Sequence, residues 1–331
     1  MNSHEPAPKS ARRSMSLSRR GFCLCCLSAP ALATGSGWLS PRVSFAQAQG
    51  IVETMRSEAA RSPIKVHRLR DGVAILEGSG GNVAVLTGAD GKVLIDAGID
   101  LSRAQMLTAL NDLGDAPITH LINTHWHFDH TDGNAWLNAE GAEILAHANT
   151  RKHLASAQRV EDWDHNFPPA APSALPRQVF SSEQEIKLKG HTLMLKHYGA
   201  AHTDSDISVR IVEADILHTG DTFWNGIYPF IDYSTGGHID GMIAATEANI
   251  AATTDQTIVI PGHGAPVATR AQLQDFRDML VDVRTTVAAL KRRGLSLEAT
   301  IAAQPTTAHD AKWYRSVITP ALFTRLVYEG V

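Results

Sequence analysis

Four side chains able to ligate a metal fall within six positions of the run Thr124-His125-Trp126-His127-Phe128-Asp129-His130. They follow Ile118–Asn123, an apolar stretch that reads as a buried strand. His125 and His127, two residues apart, therefore project to the same side of an extended backbone. As the chain turns into the next helix, Asp129 and His130 address a second point a few ångströms away. Three more candidates stand singly in glycine-bearing turns: His202 after Gly199-Ala200-Ala201, Asp221 after Gly220, and His263 between Gly262 and Gly264. Imidazole nitrogen combined with carboxylate oxygen suits zinc, at about 2.0–2.2 Å. Loops at strand ends are where a rigid scaffold presents such ligands.

The elements that must position these residues can be read from periodicity and punctuation. Strand-like runs cover 64–69, 73–76, 82–86 and 93–95, separated by Gly72, Gly78, Gly80, Gly81 and Gly88. Residues 101–113 read as a helix, 143–145 as a strand and 148–158 as a helix. Strands follow at 192–197, 207–212 and 215–218, then a helix at 239–252 and a strand at 257–260. The helix with the strongest pattern spans 269–293: Leu273, Phe276, Leu280, Val283, Val287 and Leu290 step by three or four, Thr269 with Gln272 forms a capping box, and Gly294 ends it. Two β-rich blocks, each followed by helices, predict two packed sheets with helices outside. The stretch 158–181 holds Pro168, Pro169, Pro172 and Pro176 beside Trp163, Phe167 and Phe180, and reads as an ordered surface loop serving as a lid or a plain connector.

Composition bounds the rest. At 331 residues, 44% hydrophobic and 19% charged, the chain has the make-up of a globular protein large enough to bury a core. Six basic side chains against Glu5 occupy residues 1–48, so the net charge of −4 for the whole chain becomes −9 for residues 49–331. Such an acidic body is a poor partner for nucleic acid or anionic lipid. Ser18-Arg19-Arg20-Gly21-Phe22 followed by a short apolar stretch resembles a twin-arginine export signal, and Ala46-Gln47-Ala48 offers a small-x-small cleavage site. The apolar run is too short for a membrane span and is broken by Pro30 and Gly35, so no stable membrane anchor is expected. The expectation is a cleaved signal at 1–48, engagement of the twin-arginine export machinery, and a single domain at 49–331 in the periplasm. Cys23, Cys25 and Cys26 all lie in the signal, which leaves residues 49–331 without a disulfide, thiolate ligand or cysteine nucleophile.

The HxHxDH motif, then a lone His, then Gly-Asp, then Gly-His, in that order, resembles the metallo-β-lactamase superfamily. The resemblance runs from about residue 64 to about 265, and Leu94-Ile95-Asp96-Ala97-Gly98 matches that family's upstream aspartate turn. It implies an α/β fold, the four-layer αβ/βα sandwich, with two zinc ions per chain at one edge. Carried over residue by residue, His125, His127 and His202 hold one zinc, Asp129, His130 and His263 the other, and Asp221 bridges them. Asp96 orients a ligand or turn. His120, His147, His153, His165, His191, His197, His218 and His309 match no motif position, and Asp132 and Asp206 read as capping or loop residues.

On this reading two zinc ions activate a bridging water as hydroxide, with Asp129 orienting the nucleophile and handling its proton. The aromatics after Asp221 (Trp224, Tyr228, Phe230) wall an apolar pocket or pack beneath the site, with Trp126 and Phe128 opposite and Asn225 and His238 at the opening. Tyr228 is assigned as a donor to a developing oxyanion. The expected substrate is a small neutral cyclic or aromatic molecule of lactone or ester type. Alternatives are a β-lactam in the cysteine-free subclass, a halogenated aromatic, a mononuclear iron persulfide dioxygenase, or a zinc-binding protein without catalysis. Lys291-Arg292-Arg293 superficially fits the basic C-terminal domain of glyoxalase II, but a solvated helix end explains it better.

Overall fold

A computed structural model of the chain describes Met1 and residues 50–331 apart from Lys189; the signal features and the three cysteines lie outside the described residues. Residues 50–331 belong to one compact unit. It opens with a helix, Ile51–Arg61, ahead of six strands of the first sheet: β1 (Lys65–Arg68), β2 (Val73–Glu77), β3 (Val83–Gly88), β4 (Gly91–Ile95), β5 (Ile118–Asn123) and β6 (Glu143–His147). A separate two-stranded ribbon, β7 (Gln158–Val160) with β8 (His165–Phe167), follows, and β9 (Gln178–Phe180) returns to the sheet edge beside β6. The first four strands pair antiparallel, and β4, β5, β6 and β9 run parallel.

The second sheet holds β10 (Glu183–Leu188), β11 (His191–His197), β12 (Ile207–Ile211), β13 (Ile216–His218) and, beyond the short β14 (Trp224–Asn225), β15 (Ile258–Ile260). β14 pairs with β16 (His263–Gly264) in a ribbon of its own. Outer strands β10 and β11 alternate exposed with half-buried or buried positions, as an edge with one wet face requires, whereas β4 is buried along its whole length.

Side-chain alternation sorts the core into three layers. Ile75, Leu86, Ile95 and Ile122 face Leu193, Leu195, Val209 and Ile216 between the sheets. Their neighbours Leu76, Val85, Leu94 and Leu121 point the other way, onto Met106, Leu110, Trp136 and Leu137. Behind the second sheet, Met242 and Ala245 of Ile239–Ala251 pack with Leu273, Phe276, Leu280 and Val283 of Arg270–Arg292. Helices, sheet, sheet, helices: the four-layer αβ/βα sandwich is the observed fold. Thr269 and Gln272 form the capping box read from sequence, an arrangement that contributes about 1 kcal/mol.

Two expectations change. The helix expected over 148–158 ends at Leu154, and Gln158 opens β7. Residues 158–181 are not one loop: they supply the ribbon, two 3₁₀ turns and a strand of the main sheet. The chain also adds three helices after Gly294 (Leu297–Ala302, Thr307–Trp313 and Pro320–Glu329). Among the described residues no helix is long and apolar enough to cross a membrane.

Candidate metal centre

All seven ligand candidates meet at one edge of the sandwich, because each follows the end of a core strand. β5 delivers His125 and His127, and Phe128–Thr131 forms one helical turn carrying Asp129 and His130. His202 lies between β11 and β12, Asp221 in the 3₁₀ turn after β13, and His263 just past β15. The side chains fall into two sets: His125, His127, His202 and Asp221, and then Asp129, His130 and His263. Within each set the ligand atoms lie within 4.8 Å of one another, and all except His263 are buried.

The hydrogen bonds decide which atom of each ring faces inward. His127 Nε2 donates to Asp232 Oδ2 at 3.0 Å, leaving Nδ1, which sits 2.8 Å from His202 Nε2. His202 Nδ1 donates to the Phe230 carbonyl at 2.8 Å, and His130 Nδ1 to Asp96 Oδ2 at 2.8 Å, so both present Nε2. Thr124 Oγ1 donates to Asp96 and accepts from His125 Nδ1, which leaves His125 Nε2 buried without a partner. Asp221 Oδ2 lies 3.3 Å from His202 Nε2 and 3.3 Å from His263 Nε2, so its carboxylate spans both sets. Asp129 Oδ2 lies 3.0 Å from His263 Nε2.

A cation fits this arrangement. Ligands about 2.1 Å from a tetrahedral zinc stand roughly 3.4 Å apart, and the separations above, 2.8 to 3.3 Å, lie just under that. His125 Nε2 and Asp221 Oδ1 are buried without hydrogen bonds; Oδ1 lies 3.1 Å from His130 Nε2 but outside hydrogen-bond geometry. Each such orphan costs about 1–3 kcal/mol unless something takes its lone pair. Burial alone would raise Asp221, but His263, His130, His202 and His125 hold it well below the carboxylate range. Burial disfavours the charged form of His130, yet Asp221, Asp129 and Asp96 outweigh it and hold the ring well above the histidine range. Burial, with His130 beside it, pushes His125 well down.

Two groups brace the ligands. Asp96 adopts a left-handed backbone (φ 69), rare outside glycine and strained, and accepts from Thr124 N–H, Thr124 Oγ1 and His130. Asp232 is a site residue that the sequence does not single out: from its run only the aromatics and Asn225 stood as candidates. It accepts from His127, Ser234 and Thr235, and these bonds overcome burial to hold it at about 2. Two glycines make room: a Cβ on Gly262 would lie 2.0 Å from Asp221 Oδ1, and one on Gly81 would lie 2.2 Å from the His130 ring.

The sequence model of the metallo-beta-lactamase superfamily matches residues 76–280. The chain belongs to that superfamily. Two curated relatives are named hydroxyacylglutathione hydrolase. The protein of Polaromonas sp. is 31% identical over 150 residues, 44% of this chain and 48% of its own length. The protein of Rhodospirillum rubrum is 30% identical over 169 residues, 50% of this chain and 56% of its own. The chain thus spans about half the length of the curated relatives it matches. Among solved structures, the sec-alkylsulfatase PisA1 of Pseudomonas sp., as a double mutant, superposes with a TM-score of 0.60 at 18% identity, over 83% of this chain and 51% of that one. DIM-1 metallo-beta-lactamase gives 0.54 at 18%, over 66% and 98%, and the Hirschia baltica metallo-beta-lactamase 0.53 at 24%, over 66% and 98%. At these identities the likeness is one of fold.

Within this superfamily member the pocket residues expected from sequence divide. Trp224 lines the metal-facing cavity, its ring 4.3 Å from that of His263. Trp126 and Phe128 are nearly fully buried and line instead a larger cavity of about 270 Å³ that touches none of the seven ligands. Three assignments are corrected. Tyr228 is wholly buried, stacks on Phe323 at 4.7 Å and donates to Asp310 at 2.9 Å, so its hydroxyl is consumed in the core and cannot serve an oxyanion. Asn225 is spent on the Ala265 carbonyl and Gln272. His238 caps the Ile239–Ala251 helix, accepting from Asp240 N–H, and is absent from the metal-facing wall. That wall instead includes Ile51, Met55, Trp163, Phe230, Val317 and Ile318.

Proposed function

We propose that the chain is a two-zinc hydrolase of a small, neutral, lactone- or ester-type substrate. The observation that carries this reading is the seven-ligand cluster with Asp221 within 3.3 Å of both sets. Seven ligands are too many for one four-coordinate ion. Zinc bound there supplies Lewis acidity and lowers the pKa of water toward neutrality. His125, His127 and His202 would hold one ion, Asp129, His130 and His263 the other, and Asp221 both. Asp129, which lines the cavity, orients the attacking water and takes its proton. Asp232 and Asp96 keep the rings of His127 and His130 in the ligating tautomer. Trp224, Trp163 and Phe230 exclude water around the carbonyl under attack.

Opposite the ligands the cavity wall offers apolar side chains and, among the described residues, no lysine or arginine, which favours a neutral substrate over an anionic one. A glutathione thioester is the second reading, favoured by the two named relatives. Against it, Lys291 is spent on the carbonyl oxygens of Tyr328 and Val331. The proposal extends to a cleaved twin-arginine signal at 1–48 and a single periplasmic domain at 49–331, supported by Arg19-Arg20 and Ala46-Gln47-Ala48. Replacing both arginines with lysine should trap precursor in the cytoplasm; unchanged export would refute that part. Activity is tested by assaying zinc-loaded protein on lactones, aryl esters, a carbapenem, a halogenated aromatic and a glutathione thioester. Lactone or ester turnover is expected, and efficient carbapenem cleavage without ester cleavage would place the chain in another branch.

A further inference from the structure

The space in front of the ligands is small. About 20 Å³ is open, room for roughly one water molecule, between His127, Asp129, Asp221 and His263 on one side and apolar side chains on the other. No ester reaches Asp129 unless part of that apolar wall gives way. Four separate segments build it: the Ile51–Arg61 helix through Ile51 and Met55, the β7–β8 ribbon through Trp163, the run after Asp221 through Trp224 and Phe230, and Val317 with Ile318 ahead of the Pro320–Glu329 helix.

These segments are held unequally. Trp163 packs its ring 4.9 Å from that of His127 and 4.8 Å from that of Phe230, and the neighbouring Asp162 pairs with Arg325 of the C-terminal helix. Ile318 is buried two residues ahead of a helix anchored by Phe323, Leu326 and Val327. The Ile51–Arg61 helix has only 11 residues, too few to persist without packing, and its N-cap, Gly50, supplies no side-chain cap. It buries Ile51, Val52 and Ala59. Among its polar ties to the described residues, Arg56 reaches Asp132 at 3.5 Å and lies 5.5 Å over Phe128, and Gln105 donates to the Ala60 carbonyl at the surface.

We infer that Ile51 and Met55 set the size of the group admitted to the metal centre, and that the Ile51–Arg61 helix is the part of the wall that shifts to admit it. The inference rests on the hydrolase reading above and adds the residues that select its substrate. Met55 is the position to change, because it faces the cavity while remaining half-buried, so both a smaller and a larger side chain fit the helix.

The test compares zinc-loaded wild-type protein with Met55→Ala and Met55→Phe. Two quantities are read: the rate at which a chelating dye strips zinc, and the ratio of kcat/KM for a phenylacetyl ester to that for the matching acetyl ester. Met55→Ala should raise both by about tenfold, and Met55→Phe should lower both, the scale expected when a pocket gains or loses a few methylenes of room. Damage to packing alone would move both variants the same way, and that result, or no movement in either, overturns the inference. Protein that keeps its zinc and cleaves esters with an unaltered ratio leaves the hydrolase reading standing and removes only this one. Protein that takes up no zinc removes both.

Discussion

The floor of the metal-facing cavity comes from the chain at the ends of β5, β11, β13 and β15, while its roof comes from the Ile51–Arg61 helix, the β7–β8 ribbon, Trp224 with Phe230, and residues 317–318. In the floor three of the ligating rings are braced by a hydrogen bond from the far nitrogen. His127 is held by Asp232, His130 by Asp96 and His202 by the Phe230 carbonyl, and Gly262 and Gly81 leave space that no other residue could. In the roof the side chains that face the cavity are apolar and come from segments that meet only in the folded chain. A floor built this way holds geometry to a few tenths of an ångström, as chemistry demands. A roof built by side-chain packing can exchange its residues with little effect on the sheets, as a change of substrate demands.

The largest effects should follow from breaking the floor. His202→Ala and His263→Ala should each lower bound zinc from about two ions per chain to about one, with kcat falling by orders of magnitude. Asp129→Asn should cut kcat by orders of magnitude while changing KM little, because its carboxylate acts on the water rather than on the substrate. Gly262→Ala should do comparable harm without replacing a ligand, since its Cβ would occupy the place of Asp221 Oδ1. Wild-type activity in that variant would mean Asp221 does not need its present position. Asp232→Asn should weaken metal affinity by about 10–100-fold, the usual cost of losing the partner that orients a ligating histidine, as measured by competition with a chelator.

The floor was legible in the sequence because its residues sit close together in the chain or beside glycine. HxHxDH needs only the two-residue repeat of a strand and the turn that ends it, and Asp221 and His263 announce themselves in Gly-Asp and Gly-His. The two sheets could be read for a similar reason, since each strand is bounded by glycine or a turn. The roof was not legible. Nothing in Ile51 or Met55 ties them to a site that begins some seventy residues later, and Trp163 could equally have belonged to a surface loop. The run 223–232 failed in a more instructive way. Its spacing is irregular, so periodicity cannot say which residues face the metals. Tyr228 turns into the core against Phe323, Trp224 lines the cavity, and Asp232, the one acid in an apolar run, braces His127. A carboxylate closing an aromatic stretch, followed by Ser234 and Thr235, was the available signal.

Smaller effects belong to the roof and to the residues that only resemble site residues. Trp224→Ala should raise KM more than it lowers kcat, because it removes contact shared by the ground and transition states. Unchanged kinetics would return that ring to mere packing against His263. Tyr228→Phe should leave kcat and KM alone and cost about 1–2 kcal/mol of stability in denaturant unfolding, through the bond to Asp310. A kinetic defect without a stability change would restore its proposed place beside the substrate.

The central claim, that seven side chains form a floor for two zinc ions, is tested most directly by elemental analysis of protein purified without added metal, alongside His263→Ala. The account predicts close to two zinc ions per chain in the wild type and close to one in the variant, with ester hydrolysis tracking the second ion. One tightly held iron per chain, unaffected by the substitution and accompanied by oxygen uptake on a persulfide, would contradict it.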